Sequence, residues 1–447
     1  MLELGLLIIF CVLGVLVGVL TGLLPGLHVN NIALILLSLS SVIVAMCSPL
    51  FSYGISESFI LLLIAGFIIA VSLSHSFHDV IPTTFIGAPE EDTALTVLPA
   101  HDLLLQGRGY EAISLSALGS YGAIIVCLLL LFPIRFIIGS PLFLYSALQE
   151  IMGLVLVAIA LLMIATEKSK INDISDKGKI PSIIGMVFAL FVFILSGVFG
   201  LIILDFPVDS PIGLSSPVLF PALTGLFGTA TLLDSLRTKP NIPKQKIEQL
   251  TLNANEKKSS IGSVIAGSLA GIVVSIIPGI TSATGTILAM NARQKSGHEQ
   301  TIVTLSSVNT ASAFSVVVVL FIILRPRSGA AIAVNELISV KEWTSLVVPE
   351  QLIYLVMFLL IAGSLSYFLT IKIGAVCAKY FVKLPYLKVV SATIVLITFL
   401  VFLFTGINGL LVLCVATSIG FLPILWGVRR SHCMGVLLLP IILHFLL

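Results

Sequence analysis

The chain has 447 residues, 58% hydrophobic and only 10% charged, with a formal net charge of +2. Soluble domains carry about 25% charged residues, so a water-soluble globule is excluded, and the basic residues are too scattered for a nucleic-acid surface. Uncharged runs such as 112–133 and 183–204 match the roughly 20 residues that cross hydrocarbon, and mean hydropathy is +1.18. The expectation is an all-α, polytopic transmembrane protein of the cell membrane.

The first 24 residues are apolar, with no basic leader region and no small-residue cleavage site, and read as a first span. Further apolar segments fall at about 29–47, 57–75, 112–132, 145–165, 182–204 and 214–234. Between the first two, VGVLTGLLPGLHVNN breaks at Pro25-Gly26 and then offers His28, Asn30 and Asn31. Proline removes a backbone donor and glycine takes unusual torsions, so a helix stops there. In hydrocarbon, freed backbone groups survive only beside a cavity or buried protein. The helix ends so created suit a carboxylate.

After the third span, Ser74 to Ala112 crowds His75, His78, Asp79, Glu90, Glu91, Asp92, His101 and Asp102 into apolar surroundings. A charge at the bilayer centre costs at least about 2.5–3.5 kcal/mol, so these residues face a wet cavity or the cytoplasmic interface. Stretches 76–100 and 328–340 are expected to be re-entrant hairpins. His78, Asp79 and Thr83, with Asn309 in the second half, are the candidates for cation coupling.

Residues 237–260 are rich in Lys, Asn and Pro and read as a cytoplasmic linker between a first membrane repeat, 1–236, and a second, 261–447. Apolar segments resume at about 261–277, 280–291, 300–324, 347–371, 388–405, 407–425 and 433–447. The second half opens as the first does: Gly14, Gly18, Pro25 and Gly26 recur as Gly267, Gly271, Pro278 and Gly279, each 253 residues on. Thr281, Ser282 and Thr284 follow the second break. An odd number of crossings in each half gives the copies opposite orientation, the pattern of inverted-topology repeats with discontinuous helices. Arg327 and Ser328, in the second hairpin, can hold an anion, since arginine binds carboxylates bidentately.

Arg135, Arg325, Arg327 and Lys341 fall on one side of this topology, and every other Lys and Arg falls with the linker. By the positive-inside rule the linker is cytoplasmic and both termini are outside. The six cysteines show no CxxC spacing and indicate neither a metal site nor a disulfide framework.

The two Pro-Gly breaks, the block from Ile86 through Glu90, Glu91, Asp92 and Asp102 to Ala112, and Leu219–Leu233 together resemble the tripartite tricarboxylate transporter family. The likeness is to its large membrane subunit, in the archaeal-type branch. Arg-Pro-Arg-Ser-Gly at 325–329 replaces the Gly-Ile-Pro-Gly type of turn usual in bacterial members. The resemblance implies a secondary carrier of tri- or dicarboxylates, driven by Na⁺ or H⁺ without another cofactor. It also implies a small membrane subunit and an extracytoplasmic binding protein as partners, and a homo-oligomer is expected. A carrier of another organic anion, or a channel, is the alternative. No G-x-S-x-G or H-E-x-x-H occurs to suggest an enzyme.

Overall fold

The computed structural model describes residues 2–24, 29–87, 96–167, 180–211, 218–238, 242–278, 280–293, 297–380 and 385–447. Regular structure among them is entirely helical. The first half begins with α1 (Leu2–Leu23), α2 (Val29–Ser38), α3 (Ser40–Cys47), α4 (Glu57–His78), α5 (Val80–Ile86) and α6 (Val97–Leu105). It continues with α7 (Gly109–Leu129), α8 (Leu131–Ile138), α9 (Leu144–Glu150), α10 (Met152–Ala165), α11 (Ile180–Ile203), α12 (Leu219–Leu223) and α13 (Ala230–Thr238). A π-helical turn, Thr224–Thr229, joins the last two. The second half comprises α14 (Ala254–Ile276), α15 (Ser282–Arg293), α16 (His298–Ile323), α17 (Gly329–Leu337), α18 (Glu350–Tyr380), α19 (Tyr386–Trp426) and α20 (Gly435–Leu446).

Among the described residues nine helical stretches are long and apolar enough to cross a membrane, or eleven if each of two bent pairs counts as one span. The segments expected at 280–291 and 433–447 are not among them. Helices α15 and α20 have 12 residues each, roughly 18 Å at the α-helical rise, against roughly 30 Å of hydrocarbon. Helix α19 covers both 388–405 and 407–425 and kinks between them at Gly406, whose φ of 65° and ψ of −159° are non-helical. The first hairpin is also shorter than expected. Residues 76–86 prolong α4 through α5 as one stretch, Glu57–Ile86, because His75, His78 and Asp79 are absorbed as buried side chains of that helix.

Close helix packing explains the glycine repeat. A Cβ at Gly14 would come within 2.8 Å of the Phe67 carbonyl oxygen and Ala70 Cβ, and one at Gly18 within 2.5 Å of the Val71 oxygen and Ser74 Cβ. In the second half Gly267 faces the Thr304 oxygen at 2.6 Å and Ser307 Cβ at 2.7 Å; Gly271 faces the Val308 oxygen at 2.4 Å and Ala311 Cβ at 2.6 Å. Small residues let backbones approach this closely. Phe67, Ala70, Val71 and Ser74 have the same spacing as Thr304, Ser307, Val308 and Ala311, and numbers rise together on both helices. So α1 runs parallel to α4, and α14 parallel to α16, in one shared register. The two long helices even end alike: Gly87 follows Ile86 with φ 73°, and Leu324 follows Ile323, at the matching position, with φ 53°.

Each half then lends a helix to the other. Helix α18 runs along α4 in the same direction, with Gly66 against Phe358 and the Thr370 hydroxyl donating to the Phe77 oxygen at 3.4 Å. Helix α7 runs along α16: the Ser116 and Ser306 hydroxyls are 2.7 Å apart and Cys127 Sγ is 3.7 Å from Ser315 Oγ. Where α7 and α18 meet, Gly363 packs on Ile124 and Gly374 on Ile113, an antiparallel crossing. Helices α1, α4 and α18 therefore point one way, and α7, α14 and α16 the other.

The segment 242–253 has no regular structure, yet it is strapped to the first half. Gln245 is buried; its amide donates to the Leu104 oxygen at 3.0 Å and its carbonyl accepts the Gly109 N–H at 2.8 Å. The Lys246 N–H donates to the Gly107 oxygen at 2.8 Å. Asn253 and Glu256 then form a capping box, so α14 starts ahead of the apolar run at 261. Arg293, at the end of α15, donates to the Ser259 oxygen at 2.9 Å, which returns α15 to the linker end of α14.

Candidate functional site

A cavity of about 530 Å³ opens where α2, α4, α12, α14, α15, α16 and α17 meet. Three helix N-termini reach it: Val29 and Asn30 from α2, Thr281 and Ser282 from α15, and Ser328 and Gly329 from α17. A helix N-terminus carries a partial positive charge; at α17 two first-turn amides are already taken, the Gly329 N–H by Asn30 Oδ1 and the Ala331 N–H by Ser328 Oγ. The C-terminal end of α14 contributes Ser275 and Pro278. Asn309 and Ser72 enter from the middles of α16 and of the α4–α5 stretch, so the cavity lies at mid-depth of the α1–α4 and α14–α16 pairs. In the shared register of those pairs Ser72 is the counterpart of Asn309, and Ser76 of Ala313, and all four line the cavity.

Asn30 Oδ1 accepts the Gly329 N–H at 2.8 Å. The Ser282 hydroxyl donates to Asn309 Oδ1 at 3.3 Å, and Ser328 Oγ accepts the Ala331 N–H at 3.2 Å, capping α17. Arg327 Nη2 donates to the Tyr145 hydroxyl at 2.6 Å, and its Cζ lies 5.7 Å from the Tyr145 ring centroid. Arg327 Nε, Thr281 Oγ1 and Ser72 Oγ have no hydrogen-bond partner. Among the described residues Arg327 is the one charged side chain that lines the cavity, and no acidic residue, histidine or cysteine does.

Of the residues expected in the site, Asn30, Pro278, Thr281, Ser282, Arg327 and Ser328 line this one cavity, and so does Asn309, which was assigned to cation coupling. Thr284 does not. It is fully buried on the other face of α15, its hydroxyl 3.8 Å from Met163 Sδ. Pro25, Gly26, His28 and Gly279, the side chain of Asn31, and the acidic run Glu90, Glu91 and Asp92 lie outside the described residues.

His78, Asp79 and Thr83 are buried but stand apart from the cavity. His78 Nδ1 is 2.7 Å from the Ser74 oxygen and its Nε2 is 3.3 Å from the Thr370 hydroxyl, on the α18 side of α4. The Thr83 hydroxyl donates to the Asp79 carbonyl oxygen at 2.7 Å. The four coupling candidates are thus not one cluster. Ser72, Ser76, Ser275 and Ser312 were missed; only the helix register, aligned between halves, singles out the first two.

A family model described as "Tripartite tricarboxylate transporter TctA family" matches residues 8–435. An uncharacterized protein of Methanocaldococcus jannaschii is 29% identical over 441 residues, covering 98% of this chain and 99% of that relative. No solved structure matches. The chain belongs to the tripartite tricarboxylate transporter TctA family, as a multi-pass membrane component of such a transporter.

Proposed function

We propose that the chain is the permease itself, a secondary carrier that binds a carboxylate in the cavity and moves it in symport with Na⁺ or H⁺. The observation that carries this reading is the convergence of three helix N-termini and Arg327 on one mid-depth cavity free of acidic side chains among the described residues. A carboxylate entering such a place gains charge-assisted hydrogen bonds. Neutral oxygens nearby, from Ser275, Asn309 and Ser312, are of the type that suits a co-transported Na⁺.

In this reading the halves insert with opposite orientation, which the antiparallel run of α4 and α16 supports. The linker, beside the starts of α7 and α14, lies in the cytoplasm. Helix α1, parallel to α4, begins on the outer side. A small membrane subunit and an extracytoplasmic binding protein complete the system, with the permease as a homo-oligomer.

Uptake of labelled di- and tricarboxylates into proteoliposomes tests the reading. Arg327→Gln and Pro278→Ala are each expected to lower the rate by an order of magnitude or more, the loss of a charged hydrogen bond being worth about 1.5–3 kcal/mol. Uptake untouched by both overturns the site.

A further inference from the structure

The cavity has two anion-binding ends of unequal strength. One is Arg327 with the first turn of α17. The other is the first turn of α15, where the Gly285 N–H closes the helix onto the Thr281 oxygen at 2.9 Å and leaves the positive helix end toward the cavity. Thr281, one of the lining residues, is 7% exposed, and its buried hydroxyl has no partner. Ser72, on α4, is also 7% exposed with an unpartnered hydroxyl. A buried hydroxyl left unpaired is costly, and a ligand oxygen placed there removes the cost. The rest of the lining is largely apolar, including Leu34, Leu223, Ile280, Val316 and Ile332.

We infer that the transported anion is a dicarboxylate with an apolar spacer. This rests on the carrier reading above and narrows it. One carboxylate sits on Arg327, beside the N-terminal end of α17. The second accepts the Thr281 hydroxyl at the start of α15, and the methylene chain spans the apolar wall between them. A third carboxylate finds no further cationic side chain among the described residues and lies against that wall unpaired. A monocarboxylate leaves the Thr281 end unsatisfied.

The experiment is calorimetric titration of the full chain in lipid nanodiscs with the series succinate, glutarate, adipate and suberate, beside hexanoate and tricarballylate. The best dicarboxylate is expected to bind about tenfold or more tighter than both controls. Thr281→Val is expected to weaken that dicarboxylate about tenfold while leaving hexanoate unchanged, and Thr281→Ser to restore it. Arg327→Gln is expected to weaken every member. If tricarballylate binds tightest, or Thr281→Val weakens hexanoate and dicarboxylate alike, the two-ended assignment falls and the carrier site stands. If no carboxylate binds, or Arg327→Gln changes nothing, the site itself falls, and the assignment with it.

Discussion

Asn30 of the first half and Gly329 of the second meet at the cavity wall, 299 residues apart in sequence, with the Asn30 carboxamide oxygen accepting the Gly329 N–H at 2.8 Å. The approach is so close that a Cβ on Gly329 would come within 2.5 Å of the Asn30 carbonyl oxygen. Gly329→Ala therefore pushes α17 off α2, and Asn30→Ala leaves a backbone N–H unpaired at a cost of about 1–3 kcal/mol. Both lower thermal stability in detergent, and Gly329→Ala abolishes carboxylate-dependent stabilisation. Retained ligand protection in Gly329→Ala contradicts this account of the wall.

The glycine stripe makes a sharper prediction because it has a built-in control. Gly271→Ala drives a methyl group to within 2.4 Å of the Val308 oxygen, whereas a Cβ at Gly5 meets nothing within 4 Å. Overpacking of this kind costs about 1–3 kcal/mol. Thermal unfolding should fall for Gly271→Ala and stay at the wild-type value for Gly5→Ala.

Gln245 is the strap's anchor. Gln245→Ala strands the Gly109 N–H and the Leu104 oxygen that its side chain now satisfies. Limited proteolysis is expected to cut at Lys244 or Lys246 several-fold faster in the variant, with uptake reduced less than cleavage is increased. Equal cleavage rates would show that the linker is held by something other than this side chain.

A pH dependence follows from Glu167, just past the end of α10, which is only 2% exposed. Its Oε2 accepts Arg429 Nε at 2.6 Å and lies 2.7 Å from His432 Nε2. Burial by itself raises the carboxyl, but the hydrogen bond to His432 and the charge of Arg429 outweigh it and hold the group below its usual 4.5. A carboxylate with a lowered folded-state pKa stabilises the fold above its unfolded value, and that stability is lost as pH falls through the folded value. Thermal melts of wild type and Glu167→Gln should differ most near pH 7 and converge below about pH 4. A gap that persists at low pH points to shape and not charge.

Much of this site is legible in the sequence because helix breaks are local chemistry. Pro278 falls where α14 ends, the Thr281–Ser282 pair where α15 starts, and Ser328, after Arg327, caps α17. The boundary at Gly406 is local in the same way. What sequence cannot supply is the face of a helix. Thr284 is two residues past Ser282, about 200° around the helix, and so turns to Met163. His78 is two past Ser76 and turns to α18 for the same reason. Ser72 and Ser76 look like packing serines in an apolar run until the α1–α4 and α14–α16 contacts are aligned. The segment 280–291 was counted as a crossing because hydropathy measures greasiness and not where the chain folds back; α15 has only 12 residues.

The exchange of α7 and α18 between halves bears on how the protein is made. When the linker leaves the ribosome, the flank of α4 that will receive Phe358 and Thr370 is still bare, and it stays so for another hundred residues of synthesis. The N-terminal portion must then wait in the bilayer half-clothed, screened by lipid or by an insertion chaperone. Neither portion expressed on its own should assemble, whereas the two produced together from separate messages should find each other and reconstitute uptake.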